Sequence, residues 1–253
     1  MTVRGSDVSG ARPPGPGGPS TRARGFGRVV VDGNERRLLV GGLEASHVDL
    51  ARPTRLEFPY MRRIGDVIDA MAPAGRPVRT LHLGAGLGAL ARYVLATRPG
   101  ASSDLVDLVR HAPDLDVELA DAREAVERRP RRTYDLVIGD VFDGPRVPRH
   151  LTTSEFLAQV RRVLRPGGVY VANLIDDPPH RLARRQVATI AGAFAETLLL
   201  AERQVLTGRR TGNLVVAAAD RTLPVAKLRR RGGDVLDRGA VDVWCEGSKP
   251  LRD

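Results

Sequence analysis

Between Thr80 and Thr97 the chain reads TLHLGAGLGALARYVLAT: a short apolar run, three glycines at alternate positions, then apolar residues at helical spacing. The same change of period recurs downstream. DLVDLV and DLDVEL read as strands and AREAVERR as a short helix; YDLVIGD is a strand and SEFLAQVRRVL a helix that Pro166-Gly167-Gly168 stops. VYVANL, the helix HRLARRQVATIAGAF, and the strands TLLLAERQV and GNLVVAAA follow. Strands alternating with helices dictate a mostly parallel sheet with helices on both faces. The last two strands lack a helix between them and are expected as an antiparallel hairpin at one edge. The fold expected is α/β, a Rossmann-like methyltransferase fold with a terminal hairpin, over residues 53–253.

Upstream, PYMRRIGDVIDAM (59–71) has helical spacing with proline near its start. RVVV and RRLLVGG flank Asp32-Gly33, a hairpin signal, and EASHVDL reads as a third strand. These form a small N-terminal β domain, 25–52, too small to fold alone. Residues 1–24, rich in Pro, Gly, Ser and Arg, cannot bury enough apolar surface to offset ordering and are expected to be a disordered tail.

A chain of 253 residues is long enough for a proper core. No apolar run approaches the roughly 20 residues that span a bilayer, and no secretory signal is visible, so no membrane partner and a cytoplasmic location are expected. Cys245 is the only cysteine, which excludes an internal disulfide and a cysteine-rich metal site; no metal is expected. The net charge of +10 invites a nucleic-acid reading. The charge is nearly all arginine, however, scattered in pairs and triplets, with Lys227 and Lys249 the only lysines and 4% aromatics. That favours solvated helix faces over a base-stacking surface, and no specific nucleic-acid partner is expected.

In such a sheet a ligand lies beyond the carboxyl ends of the strands. Gly84, Gly86 and Gly88 form the first turn there, where the backbone bends sharply and approaches a ligand closely. The dinucleotide fingerprint is incomplete, and the strand order expected suits an S-adenosylmethionine-type site. There an acid ending the second strand, Asp107, would hold ribose hydroxyls. An acid after the third, Asp121, would meet the adenine or cap a helix. Asp140 and Asp143 flank the end of the fourth strand. They could hold a cationic amine, one of them taking its proton, or cap loop amides.

These residues carry a likeness. The chain resembles the spermidine synthases, or polyamine aminopropyltransferases, over roughly Arg28 to Ala219, and most closely their shorter spermidine synthase-like branch. GAGLGALAR, the acid in VDL at Val106–Leu108, Asp121-Ala122, YDLVIGDVFD and LTTSEF match that family's motifs in order. The resemblance implies a homodimer and a co-substrate that is S-adenosylmethionine or its decarboxylated form. It places Ala122 with Asp121 on the adenine side. It implies Asp140 as catalytic base, with Asp143 and Tyr60 binding a small-molecule amine or other small acceptor. Two departures stand out. Leu87 occupies the position of the aspartate that holds the aminopropyl ammonium, and Met61-Arg62-Arg63 follows the tyrosine where polar or acidic residues are usual. The two arginines are expected to repel a diamine. Asp-Pro-Pro in NLIDDPPHR follows the fifth strand, not the fourth, and reads as a loop. The alternatives are an S-adenosylmethionine-dependent methyltransferase and a non-catalytic member of the fold.

The interval from Asp107 to Asp121 is short. Fourteen positions cannot hold a strand end, a helix, a third strand and turns. Either the second helix shrinks to a turn around Arg110–Pro113, or DLVDLVRHA is that helix and Asp107 leaves the pocket. The spacing from the glycines favours the first.

Overall fold

The structure is a computed structural model that describes residues 27–253. The tail expected over 1–24 lies outside the described residues. The first elements are an antiparallel sheet of β1 (Arg28–Asp32), β2 (Glu35–Val40) and β3 (Leu43–Asp49). Gly33 makes the first turn at φ +53° and Gly41-Gly42 the second. Only part of this sheet is buried, chiefly Leu38 and Ser46 to Asp49, while Val31 and Leu43 stay exposed. Helix α1 (Pro59–Met71) matches the spacing that predicts it. It turns Met61, Ile64, Val67 and Ile68 inward, a stripe at helical period.

The rest runs β4 (Arg79–Leu83), α2 (Ala89–Thr97), β5 (Ser102–Asp107), β6 (Val117–Leu119), α3 (Ala122–Arg128), β7 (Tyr134–Gly139), α4 (Ser154–Val163) and β8 (Leu164–Asp176). Then come α5 (Arg181–Ala193), β9 (Glu196–Ala201), α6 (Arg203–Leu206), β10 (Gly212–Ala219), α7 (Val225–Arg230), β11 (Asp234–Leu236) and α8 (Arg238–Trp244). The eight strands from β4 onward form one sheet ordered β11-β9-β10-β8-β7-β4-β5-β6. Strands β6, β5, β4, β7 and β8 are parallel neighbours, and β10 is antiparallel to both β8 and β9. The Rossmann-like methyltransferase fold is therefore present, with a separate small N-terminal sheet.

The central strands are buried on both faces, as parallel strands must be. Along β8, Tyr170, Ala172 and Leu174 face the core under α4 and α5, while Val169 and Val171 face the core under α1 and α2. Cys245 is buried, and burial pushes its thiol up to about 11.

Three expectations need correction. Pro166-Gly167-Gly168 does not stop α4; the helix ends at Val163, and the three residues lie within β8, where Leu164 already pairs with Tyr134. The β9–β10 connection holds a helix, α6. That pair is not the edge either, because β11 adds outside β9. Between β5 and β6 the second helix is gone, so Asp107 does end a strand, the option that the spacing favours. Helix α2 starts at Ala89, since Gly88 at φ +75° is still in the turn.

Candidate active site

Strand β4 ends against its neighbours. The Gly84 amide donates to Val106 O (2.9 Å), and the Asp140 amide donates to Leu83 O (2.8 Å). Gly84 sits at φ +86°, and a Cβ there would lie 2.1 Å from the Asp140 carbonyl oxygen. Only glycine fits, and its absence of side chain brings the turn against the end of β7.

Asp107 holds the turn open. One carboxylate oxygen accepts from the amides of Ala85 (2.8 Å) and Gly86 (3.1 Å), the other from Val109 (3.2 Å). A carboxylate offers about four acceptor sites, so roughly one remains for a ligand hydroxyl. The next amide, Leu87, donates to Ser46 Oγ of the small N-terminal sheet (3.2 Å). The Leu87 side chain is buried in the core under α1 and α2.

Asp121 is the N-cap of α3. One of its oxygens accepts from the amides of Arg123 (2.8 Å) and Glu124 (3.3 Å), and the other meets His150 Nε2 at 2.9 Å. Partial burial works against ionisation, but the bonds from His150 and the two amides outweigh it and hold the carboxyl below its ordinary value. Ala122 is buried directly behind it.

Asp140 follows β7. Its Oδ1 accepts from Asn173 Nδ2 (2.8 Å) and its Oδ2 from the Tyr60 hydroxyl (3.2 Å). Asn173, buried on β8, accepts in turn from Asn213 Nδ2 of β10 (3.1 Å). Phe58 stacks on the Tyr60 ring at 5.9 Å. Burial raises the Asp140 carboxyl above the ordinary carboxylate value. The Asn173 and Tyr60 hydrogen bonds oppose that rise, and the Asp107 charge adds to it. Burial, and then the Asp140 charge, hold the Tyr60 hydroxyl protonated well beyond its usual range. Asp143 stands on the exposed loop after β7, where its amide donates to Arg146 O (2.8 Å).

All nine residues singled out from the sequence (Tyr60, Gly84, Gly86, Gly88, Asp107, Asp121, Ala122, Asp140 and Asp143) line one cleft of ≈ 1650 Å³. Sequence reasoning missed Asn173 and Ser46. Asn173 had a signal, a polar residue inside the apolar run VYVANL; Ser46 had none. One expectation fails. Neither Arg62 nor Arg63 lines the cleft: Arg62, two positions on, points to the opposite side of α1 from Tyr60, and Arg63 reaches toward Gly233. The Arg62 guanidinium bonds the carbonyls of Leu56 (3.2 Å) and Glu57 (2.6 Å) instead. Asp177-Pro178-Pro179 turns the chain into α5, and Asp177 accepts from Thr211 Oγ1 at 2.5 Å.

No model of a known protein family matches the chain. Among curated proteins it is similar to the polyamine aminopropyltransferase of Vibrio vulnificus (strain CMCP6), 26% identical over 197 residues that cover 72% of this chain and 62% of that protein. It is also similar to that of Chromobacterium violaceum, 30% identical over 169 residues covering 61% of this chain and 64% of the relative. The chain thus spans less than two thirds of the length of these relatives. Among solved structures, a "probable spermidine synthase" from Corynebacterium glutamicum ATCC 13032 superposes with a TM-score of 0.81 at 27% identity, over 91% of this chain and 94% of that one. Two more distant structures share the fold. They are a spermidine synthase in complex with the transition state analogue AdoDATO (TM-score 0.56, 17% identity, 79% and 75% covered) and human Methyltransferase-like protein 13 in complex with SAH (0.54, 18%, 78% and 96%).

Proposed function

We propose that the cleft binds an S-adenosyl compound and that the protein transfers an aminopropyl group from decarboxylated S-adenosylmethionine to an amine, with Asp140 as base. The observation that carries this is the Tyr60–Asp140–Asn173 cluster set against the glycine turn. The glycine turn and Asp107 suit the nucleoside end of such a compound: a bare backbone, and a carboxylate with an acceptor site to spare for a hydroxyl. When bound, the co-substrate supplies an electrophilic carbon beside a sulfonium, and methylthioadenosine leaves.

An ammonium cannot act as a nucleophile until it is deprotonated. The two hydrogen bonds at Asp140, one per oxygen, fix the plane of its carboxylate and leave a lone pair on each oxygen for an amine proton. Burial brings its proton affinity closer to that of an amine, which eases the transfer. Tyr60, held protonated, acts as a donor and does not compete as a base. The proton leaves the attacking nitrogen for Asp140 as the new carbon–nitrogen bond forms. The electron pair of the broken carbon–sulfur bond goes to sulfur. Asp143, on the loop at the same end of β7, is assigned to the amine. A homodimer, implied by the resemblance, and a cytoplasmic location, as expected from the sequence, belong to this proposal.

One observation favours a second reading, methyl transfer from intact S-adenosylmethionine. Leu87, where the resemblance calls for the ammonium-holding aspartate, is buried and offers no charge. A thermal-shift panel separates the two. A bound co-substrate at 100 times its dissociation constant stabilises by about 2.7 kcal/mol. Stabilisation by the decarboxylated compound, with methylthioadenosine released on adding an amine, supports the first. Stabilisation by the intact compound alone, with methylated product, replaces it by the second.

A further inference from the structure

Gln186 is a buried polar residue that nothing above uses. It lies on the inner face of α5 with 3% of its surface exposed, and among the described residues its carboxamide makes no hydrogen bond. It lines the cleft, and it also lines a small cavity behind β7 and β8 that reaches Asn173 and Gly139, next to Asp140. Asn173 is committed to Asp140 and Asn213, and Thr152 Oγ1 to the Arg149 carbonyl (2.7 Å), whereas the Tyr170 hydroxyl, which also lines the small cavity, makes no hydrogen bond among the described residues. Between them the walls are apolar, including Val141, Val147, Leu151 and Ile190. The Gln186 amide atoms face the open cleft rather than a sealed interior, where a ligand group can take the place of water as their partner.

The charges around Gln186 restrict that group. The cations that line the cleft near it are exposed and engaged: Arg185 Nε donates to Lys249 O (3.2 Å), and Arg252 pairs with Glu155 (3.6 Å). Arg185 is the preceding residue of α5, and Arg252 follows Leu251, whose amide donates to Thr189 of the same helix (2.8 Å). The oxygens of Asp107 and Asp121 are turned to backbone amides and His150, and Asp140 is held by Asn173 and Tyr60. Asp143 is on the exposed loop. A second ammonium at the Gln186 end would lie between apolar walls in a cavity that no carboxylate among the described residues lines, which is unfavourable. A neutral hydroxyl or amide would instead exchange donors and acceptors with the carboxamide.

We propose, resting on the reading that the cleft takes an amine acceptor, that Gln186 recognises the far end of that acceptor. That end carries an uncharged hydrogen-bonding group. The acceptor class is thus a short aliphatic monoamine such as an amino alcohol, in preference to a diamine of equal length. The test is calorimetric titration of the full chain with a four-carbon amino alcohol and the matching four-carbon diamine, in the presence of methylthioadenosine. Wild type should bind the amino alcohol about tenfold tighter, a difference of about 1.4 kcal/mol. Gln186→Leu should abolish the preference. Gln186→Glu, nearly isosteric and a safeguard if the leucine variant misfolds, should reverse it; melting curves verify that each variant is folded. A wild type that prefers the diamine, or a preference that neither variant moves, overturns this inference and leaves the proposed function intact. Binding of neither amine, while S-adenosyl ligands still stabilise the protein, overturns the amine-acceptor reading and this inference with it.

Discussion

Asp107 is the residue whose removal reports most directly on how the cleft is built. Asp107→Ala deletes an acceptor set that holds three amides, those of Ala85, Gly86 and Val109. A hydrogen bond to a charged group contributes about 1.5–3 kcal/mol. These amides are only partly buried, so water recovers much of each, and about 1 kcal/mol apiece is the sensible figure. The expected loss is therefore about 2–3 kcal/mol. At roughly 2–4 °C per kcal/mol for a domain of this size, the melting temperature should fall by about 5–10 °C. Asp107→Asn can keep its carbonyl oxygen toward Ala85 and Gly86 and lose only the Val109 contact and the charge, for about 1 kcal/mol. Urea unfolding with scanning calorimetry measures both variants. Hydrogen exchange at Ala85 and Gly86 adds a local readout, since their protection should drop in the alanine variant and persist in the asparagine one. An Asp107→Ala protein within about 0.5 kcal/mol of wild type, with both amides still protected, would refute the view that this carboxylate preforms the turn.

Asp140→Asn should melt within a few degrees of wild type, because burial already disfavours the charge it removes, yet turn over about a hundredfold more slowly or worse; normal turnover contradicts the assignment of the base. The rate should climb with pH as Asp140 ionises through its raised value, and Asn173→Leu, which removes a bond favouring the carboxylate, should move that limb to higher pH; an unmoved limb would assign it to another group. Burial, against a small opposing pull from Asp104, lowers His82 from 6.5 to about 4, so the stability from keeping it neutral is complete above pH 6.5 and drains away as pH falls toward 4. Unfolding at pH 5 should show about 2 kcal/mol less stability than at pH 7.5 from this group, a loss that His82→Asn should lack. Many arginines, among them Arg92, Arg123, Arg129, Arg165 and Arg231, are tied to carboxylates. Any binding to duplex or single-stranded nucleic acid should therefore be weak and vanish with added salt; tight binding at physiological salt would mark a specific site.

What could be read from the sequence follows from where period and composition carry physical information. Helix α1 was legible because its proline start and apolar spacing coincide, and β10 because GNLVVAAA is apolar from Leu214 onward. The sheet edge was not. Residues 225–253 are short polar stretches whose α7, β11 and α8 depend on docking, with β11 pairing through only three residues. Pro166-Gly167-Gly168 misled because turn chemistry says nothing of a parallel strand that has already begun. At the site, positions were legible and partners were not. Asp107 and Asp121 were found from spacing, but that backbone amides take up most of their oxygens is a tertiary fact. The outward turn of Arg62 was decided by the carbonyls of Leu56 and Glu57, which a resemblance at the motif level does not encode.

The contact that excludes a side chain at Gly84 has a consequence for descent as well as for chemistry. The turn assigned to the donor molecule and the strand end assigned to the proton acceptor meet through main chain, so no substitution of side chains elsewhere can change their separation. The rest of the cleft's lining is of another kind: a largely exposed loop from 142 to 149, one face of α5, and residues Leu251 and Arg252, most of it made by side chains. A lineage could exchange that lining piece by piece, trying new acceptors, while inheriting the reactive geometry unaltered. Relatives that differ in what they modify should therefore diverge first along α5 and this loop, and last at the turn.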